Sequence, residues 1–176
     1  PNGAIYVVAM SKSGSTYFQR LHALDVTTGA ELFGGPRNVQ ATYPGTEDFD
    51  FGQQIDFAHN GGNYLHYLSQ IFEVDDQGMA IRPLDMETGF WRPQTDGSLE
   101  VVLCNPGGYA EVWYGSIEGA KIELATDAVV RTASAEDYAA GQRLYGNVAG
   151  ELLWTFDKAA QGYSLQNYMW ARLRRA

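Results

Sequence analysis

The 176 residues suffice for one well-buried core, and a hydrophobic content of 45% excludes a disordered chain. Twenty-one acidic against twelve basic side chains leave a net charge of −9, which works against binding a phosphate backbone, and the one locally basic stretch, Arg172 to Arg175, reads as a solvated strand end. A single cysteine excludes an internal disulfide, and no run approaches the roughly 20 apolar residues that a membrane-crossing helix needs. A soluble chain is expected, with Cys104 a buried structural thiol because no His or Cys stands near it at metal-ligand spacing.

Period-two alternation rich in aromatic and β-branched residues recurs from end to end, whereas helical periodicity is almost absent. Ala4 to Met10 is a nearly continuous apolar strand, Tyr17 to Leu24 a second, and Ser11-Lys-Ser-Gly-Ser15 the loop of the hairpin between them. In Phe49 to Phe57, the residues Phe49, Phe51, Ile55 and Phe57 share one face while Asp50, Gln54 and Asp56 share the other. Further strands are predicted near 63–73, 80–92, 98–104, 109–116, 120–126, 128–133, 141–147, 151–158 and 165–174. Turn chemistry separates them, as in His59-Asn-Gly-Gly62, Thr95-Asp-Gly97, Pro106-Gly-Gly108 and Gln161-Gly162. The one short helix expected runs from Ser134, as its N-cap, to Gly141, as its stop. Strands at this spacing imply an all-β fold, a ten-stranded antiparallel up-and-down β-barrel with an N-terminal β-hairpin appendage, because closure removes exposed edges. A β-sandwich is the alternative that alternation alone leaves open. Phe51, Tyr67, Phe90, Trp113 and Trp154 are expected to face inward.

Two resemblances divide the chain near residue 40. The segment Arg20-Leu-His-Ala-Leu-Asp-Val-Thr-Thr-Gly-Ala-Glu-Leu-Phe-Gly-Gly-Pro36 resembles a blade of the quinoprotein-like β-propellers over about residues 3 to 45, which would make residues 1–40 a propeller-blade-like hairpin segment. A lone blade cannot bury its faces and no second copy follows, so quinone and metal chemistry is not carried over from that family. From about Tyr43 to Arg175 the chain resembles the nitrobindin-like haem-binding β-barrels, relatives of the lipocalin and fatty-acid-binding architectures. The residues that carry this are Tyr43-Pro44, Tyr64-Leu-His-Tyr-Leu-Ser69, Arg82-Pro-Leu-Asp-Met-Glu-Thr-Gly-Phe-Trp-Arg-Pro93, Glu111-Val-Trp-Tyr-Gly115, Gln142-Arg-Leu-Tyr-Gly146 and Ala171-Arg-Leu-Arg174, which makes residues 41–176 the barrel domain.

This second resemblance implies haem b at the barrel mouth, held through a His on the last strand, with nitric-oxide or peroxynitrite-related chemistry. In this chain the axial position falls on Tyr168 and that of a second pocket His on Asp85, so both imidazoles are replaced. A tyrosinate can ligate ferric haem, which makes Tyr168 the candidate metal ligand. Tyr43, Tyr67, Asp85 and Tyr168 are the implied ligand-binding residues. The family's glycine-rich first strand is replaced by Phe33 to Thr42, whose side chains would obstruct close approach of a porphyrin. Of the three histidines, His22 lies in the propeller-like segment, His59 in a turn and His66 on a strand, where a structural role is expected.

Motifs for hydrolase, dithiol, zinc-protease and phosphate-loop chemistry are absent, so no intrinsic catalytic residue is assigned, and any activity would at most be haem-dependent and peroxynitrite isomerase-like. The expected partner is a small apolar or porphyrin ligand, not nucleic acid or membrane. The alternatives are a hybrid or truncated structural domain whose haem site is lost, and a fragment of a quinoprotein-type enzyme. The barrel resemblance implies a cytoplasmic location and the propeller resemblance a periplasmic one.

Overall fold

The computed structural model describes residues 4–13, 16–25, 51–75 and 79–174. They form β1 (Ala4–Ser13), β2 (Thr16–Asp25), β3 (Gly52–Ala58), β4 (Leu65–Val74), β5 (Ala80–Pro93), β6 (Ser98–Asn105), β7 (Tyr109–Glu118), β8 (Lys121–Arg131), β9 (Tyr138–Val148), β10 (Glu151–Ala160) and β11 (Gln166–Arg174). From β3 to β11 each strand pairs antiparallel with the next in sequence, giving one curled sheet of nine strands, a half-barrel. Such a meander needs only short turns. The β10–β11 reversal is one of them, with positive φ at Gln161 and Gly162 and a closing hydrogen bond from Tyr163 N to Ala160 O of 2.9 Å. A single continuous sheet also sets aside the sandwich alternative.

Three expectations change. The segments 120–126 and 128–133 are one strand, β8, because a bulge at Asp127 absorbs the break in alternation: Val112 pairs with Ala128 and Trp113 with Thr126. Nine strands therefore stand where ten were expected from residue 49 onward. The short helix from Ser134 to Gly141 is not formed, since Tyr138 already pairs with Ala160 at the start of β9. The N-terminal hairpin does not hang from the sheet as an appendage; the backbone of β1 continues it beside β3, with Ile5 opposite Asp56 and Val7 opposite Gln54. Among the described residues no ladder joins β2 to β11, so the sheet is curled rather than closed by hydrogen bonds.

The concave face holds the core. Phe51, Ile55, Tyr67, Leu99, Val101, Leu103, Trp113 and Leu173 are buried, and each such side chain contributes about 1.5–3 kcal/mol relative to exposure. At one end Trp91 meets Phe57, Tyr67 and Tyr145 with ring centroids 5.1–5.7 Å apart, and this aromatic packing plugs the curl. In β5 the inward positions are Glu87, Gly89 and Trp91, opposite Ser69, Tyr67 and Leu65. Phe90, expected inside, consequently lies on the outer face against Tyr64 and His66. The same parity puts Cys104 outside, exposed, while its neighbour Leu103 is buried; the buried-thiol expectation fails for that reason.

Candidate functional site

Away from the aromatic plug, the other end of the sheet is irregular. The β9–β10 and β10–β11 ladders each slip once there and the β4–β5 ladder twice, as barrel rims commonly do. In β11, Met169 pairs with Phe156 and Asn167 with Asp157, leaving Tyr168 as the extra residue of the bulge. Its half-buried ring meets Phe156 edge-to-face at 5.5 Å. Tyr109 and Tyr138 form a second edge-to-face pair at 5.4 Å.

These rings surround a cavity of about 60 Å³ whose rim opens to solvent. Asp85, Glu111, Tyr138, Arg143, Lys158 and Tyr168 line it. The Lys158 ammonium stands 4.7 Å from the Tyr168 ring centroid, 5.0 Å from that of Tyr138 and 5.8 Å from that of Tyr109. Burial holds its pKa below the usual lysine value, against the opposing pull of Glu136, Glu111 and Asp85.

Beneath the mouth lies a polar floor. Arg143, almost fully buried, donates from two nitrogens to the two oxygens of Glu87 at 2.6 and 2.7 Å, and Tyr67 donates to the same carboxylate at 2.7 Å. The guanidinium also lies over the Phe156 and Trp113 rings, at 4.5 and 4.8 Å from their centroids. Burial pushes the Glu87 carboxyl upward, but the charge and hydrogen bonds of Arg143 outweigh it and the pKa lies below the ordinary value. Glu111 has no such bidentate partner; burial raises its pKa, with Arg143 pulling the other way. A second buried chain runs from Trp154 Nε1 to Gln53 Oε1 (3.1 Å) and from Gln53 Nε2 to Ser69 Oγ (2.9 Å). Two buried atoms in this region, Arg143 Nε and Asn105 Oδ1, lack a hydrogen-bond partner. Glu111 faces the Trp113 N–H and the Tyr138 hydroxyl, which favour its charged form against the effect of burial.

The structure thus brings Asp85 and Tyr168 to one cavity, Asp85 at its exposed rim with a pKa raised mainly by desolvation. Tyr67 lies below, in the floor, and does not line the cavity. Tyr43 lies outside the described residues. His59 accepts a bond from Gly61 N in an exposed turn, and His66 meets Thr88 Oγ1 at 3.0 Å on the exposed face, so neither reaches the cavity. Among the described residues no group of three or more His, Cys, Asp or Glu side chains is arranged to hold a metal ion directly. Sequence reasoning missed Glu87, Glu111, Arg143 and Lys158. The available signal was parity: each charge occupies an inward slot, as Arg143 does between Gly141 and Tyr145. A larger apolar groove of about 510 Å³, lined in part by Leu144, Leu153 and Trp170, runs over the outer side of β9–β11; it lacks the convergent buried polar groups of the interior.

A curled antiparallel sheet whose concave face encloses an aromatic-walled, polar-floored cavity defines a small-ligand-binding β-barrel. The chain belongs to the THAP4-like, heme-binding beta-barrel domain family, whose model matches residues 34–175. It is 56% identical over 135 residues to the ferric nitrobindin-like protein of Cutibacterium acnes, covering 76% of this chain and 81% of that one. It is 48% identical over 133 residues to the peroxynitrite isomerase of a Nocardioides species, again covering 76% and 81%. Its fold is similar to that of Rv2717c from M. tuberculosis, with a TM-score of 0.72 at 25% identity over 99% of this chain and 92% of the other. The propeller resemblance of residues 3 to 45 receives no support from these matches.

An iron porphyrin can be tested against the residues present. The enclosed 60 Å³ excludes a macrocycle, so a porphyrin would sit at the solvent-open rim above it, against the aromatic walls. The donors there are the Tyr168 phenol and the Met169 thioether rather than an imidazole, and both types serve as haem ligands. A phenolate is a hard donor suited to the ferric state. With these donors and the aromatic walls, the residues fit a ferric haem seated at the mouth.

Proposed function

We propose that this chain binds a planar, largely apolar ligand of the haem class at the mouth formed by Tyr109, Tyr138, Phe156 and Tyr168, with Tyr168 as the iron donor. The observation that carries this is the bulge in β11, which takes Tyr168 out of the ladder and puts it beside Phe156 at the cavity. Membership of a heme-binding β-barrel family and the names of the C. acnes and Nocardioides relatives support the ligand class. When bound, ferric haem would supply an open iron position at which small nitrogen–oxygen species react. The chain's own contribution is to seat the ring between aromatic walls, to present a phenolic oxygen, and to keep bulk water from the floor.

The test is a haemin titration followed in the Soret band. A saturable 1:1 shift is expected, together with an altered band position and at least tenfold weaker binding in Tyr168→Phe. Absence of any shift in the wild-type chain refutes the haem reading. A variant spectrum identical to that of the wild type removes Tyr168 as donor while leaving the mouth as the site. The competing reading, a structural β-domain without ligand, is favoured by the small enclosed volume, and the same titration decides between them.

A further inference from the structure

Glu111 is buried on the inner face of β7, and its neighbours in the flanking ladders, Leu103 of β6 and Val129 of β8, are both apolar. The guanidinium that attracts it, that of Arg143, is already held by both oxygens of Glu87. Two hydrogen-bonding groups face the Glu111 carboxyl, and they differ in kind. The Trp113 N–H can only donate, so it takes one carboxyl oxygen whatever the charge, whereas the Tyr138 hydroxyl can donate or accept. Burial, chiefly, holds the Tyr138 hydroxyl well above the ordinary tyrosine range, so this group keeps its single proton. Glu111 and Tyr138 both line the cavity, and what Tyr138 presents there depends on the carboxyl beside it. An ionised Glu111 draws the O–H of Tyr138 onto itself and leaves oxygen lone pairs for the cavity. A protonated Glu111 donates its own O–H to Tyr138 Oη, which frees the tyrosine proton for a partner in the cavity.

We propose that Glu111 is a specificity-determining residue: by gaining or losing one proton it sets whether the Tyr138 hydroxyl offers the bound ligand a hydrogen-bond donor or an acceptor. Ligands that only accept are then favoured while Glu111 is protonated and disfavoured once it ionises. This rests on the mouth being the ligand site, and it adds the rule by which that site chooses among planar ligands. The titratable and charged groups facing Glu111 are Glu87 from β5, Tyr138, Arg143 and Tyr145 from β9, and Lys158 from β10. Burial is the largest influence and favours the proton, as does Glu87, whereas Arg143, Lys158, Tyr138 and Trp113 favour the charge. The balance holds the carboxyl above its ordinary value of 4.5, so the donor state of Tyr138 persists to higher pH than a solvated carboxyl would allow.

The experiment has two limbs, each run from about pH 4 to pH 8 on the wild type, Glu111→Gln and Tyr138→Phe. In the ligand-free chain, infrared difference spectra follow the carbonyl stretch of a protonated carboxylic acid, and Raman spectra follow the tyrosine ring doublet, whose intensity ratio differs between a donating and an accepting phenol. Expected is one carbonyl band that titrates above the ordinary carboxyl range and is absent from Glu111→Gln, together with a doublet change absent from both variants. In the second limb, iron-free protoporphyrin IX dimethyl ester is titrated by porphyrin fluorescence, because its ester oxygens accept hydrogen bonds and carry no charge. Wild-type affinity relative to Glu111→Gln is expected to fall about three- to tenfold as Glu111 ionises, and Tyr138→Phe to lose that dependence. A ratio that ignores pH, or a Tyr138→Phe variant that keeps the full dependence, overturns the inference while leaving the mouth as a planar-ligand site. Failure of the ester to bind at any pH also overturns it, and the haemin titration then reports separately on the mouth. A wild-type chain with no carbonyl band or doublet change in this pH range overturns it without any substitution, so the test stands even where a variant fails to fold.

Discussion

Removing the charge of Glu87 while keeping its shape, as Glu87→Gln, leaves the Arg143 guanidinium buried over Trp113 and Phe156 without its bidentate partner, with Glu111 as the neighbouring acid. Both partners are well shielded, at 5% exposure for the Arg143 side chain and 15% for that of Glu87, so solvent does little to compensate. Breaking a buried pair on one side costs about 3–5 kcal/mol. For a chain of this size each kcal/mol corresponds to about 2–4 °C, which puts the expected fall in Tm at about 6–20 °C. Replacing both partners, as Glu87→Gln with Arg143→Met, removes the stranded charge and is expected to recover most of that loss. Because Arg143 holds the Glu87 carboxyl below its ordinary value of 4.5, the pair's contribution is complete above that pH and is lost as pH falls through the lower folded value. Urea titrations from about pH 3 to pH 7 on the wild type, on Glu87→Gln and Arg143→Met singly and on the double variant measure this. A single variant within 1 kcal/mol of the wild type, or a double variant as unstable as the two losses added, refutes the reasoning.

Glu111 should behave with the opposite sign. Its folded pKa is raised, chiefly by burial, so ionisation disfavours the fold as pH climbs from the unfolded value toward the folded one. Glu111→Gln is expected to gain stability relative to the wild type at about pH 8 and not at about pH 4; a pH-independent difference in thermal melts would contradict this. At Gly141 a Cβ would stand 2.6 Å from Trp113 Cη2, 2.6 Å from Tyr138 Oη and 2.8 Å from Phe156 Cε2. Gly141→Ala is therefore expected to cost about 1–3 kcal/mol in denaturant unfolding and to loosen the aromatic wall, whereas an unchanged midpoint would show that the wall yields freely.

Much of the strand plan was legible in the chain, because a half-buried antiparallel strand must alternate and its turns need Gly, Asn or Asp. The expected segments 98–104 and 151–158 correspond to β6 and β10, and Phe51, Tyr67, Trp113 and Trp154 are inside as expected. Where alternation alone misled, a bulge or a parity choice intervened. Asp127 made two segments look separate, and one residue decided whether Phe90 or Trp91 entered the core.

The site divides along the same line. Asp85 and Tyr168 could be placed from resemblance, since each stands in a local motif. Glu87 and Arg143, 56 positions apart, could not be paired by any local pattern, because their contact is made across the concave face of the curled sheet. The one-dimensional chain specifies what lies on each strand and on which of its two faces. Which faces look at one another across the interior depends on curl, register and bulge, and these are settled only when all nine strands pack together.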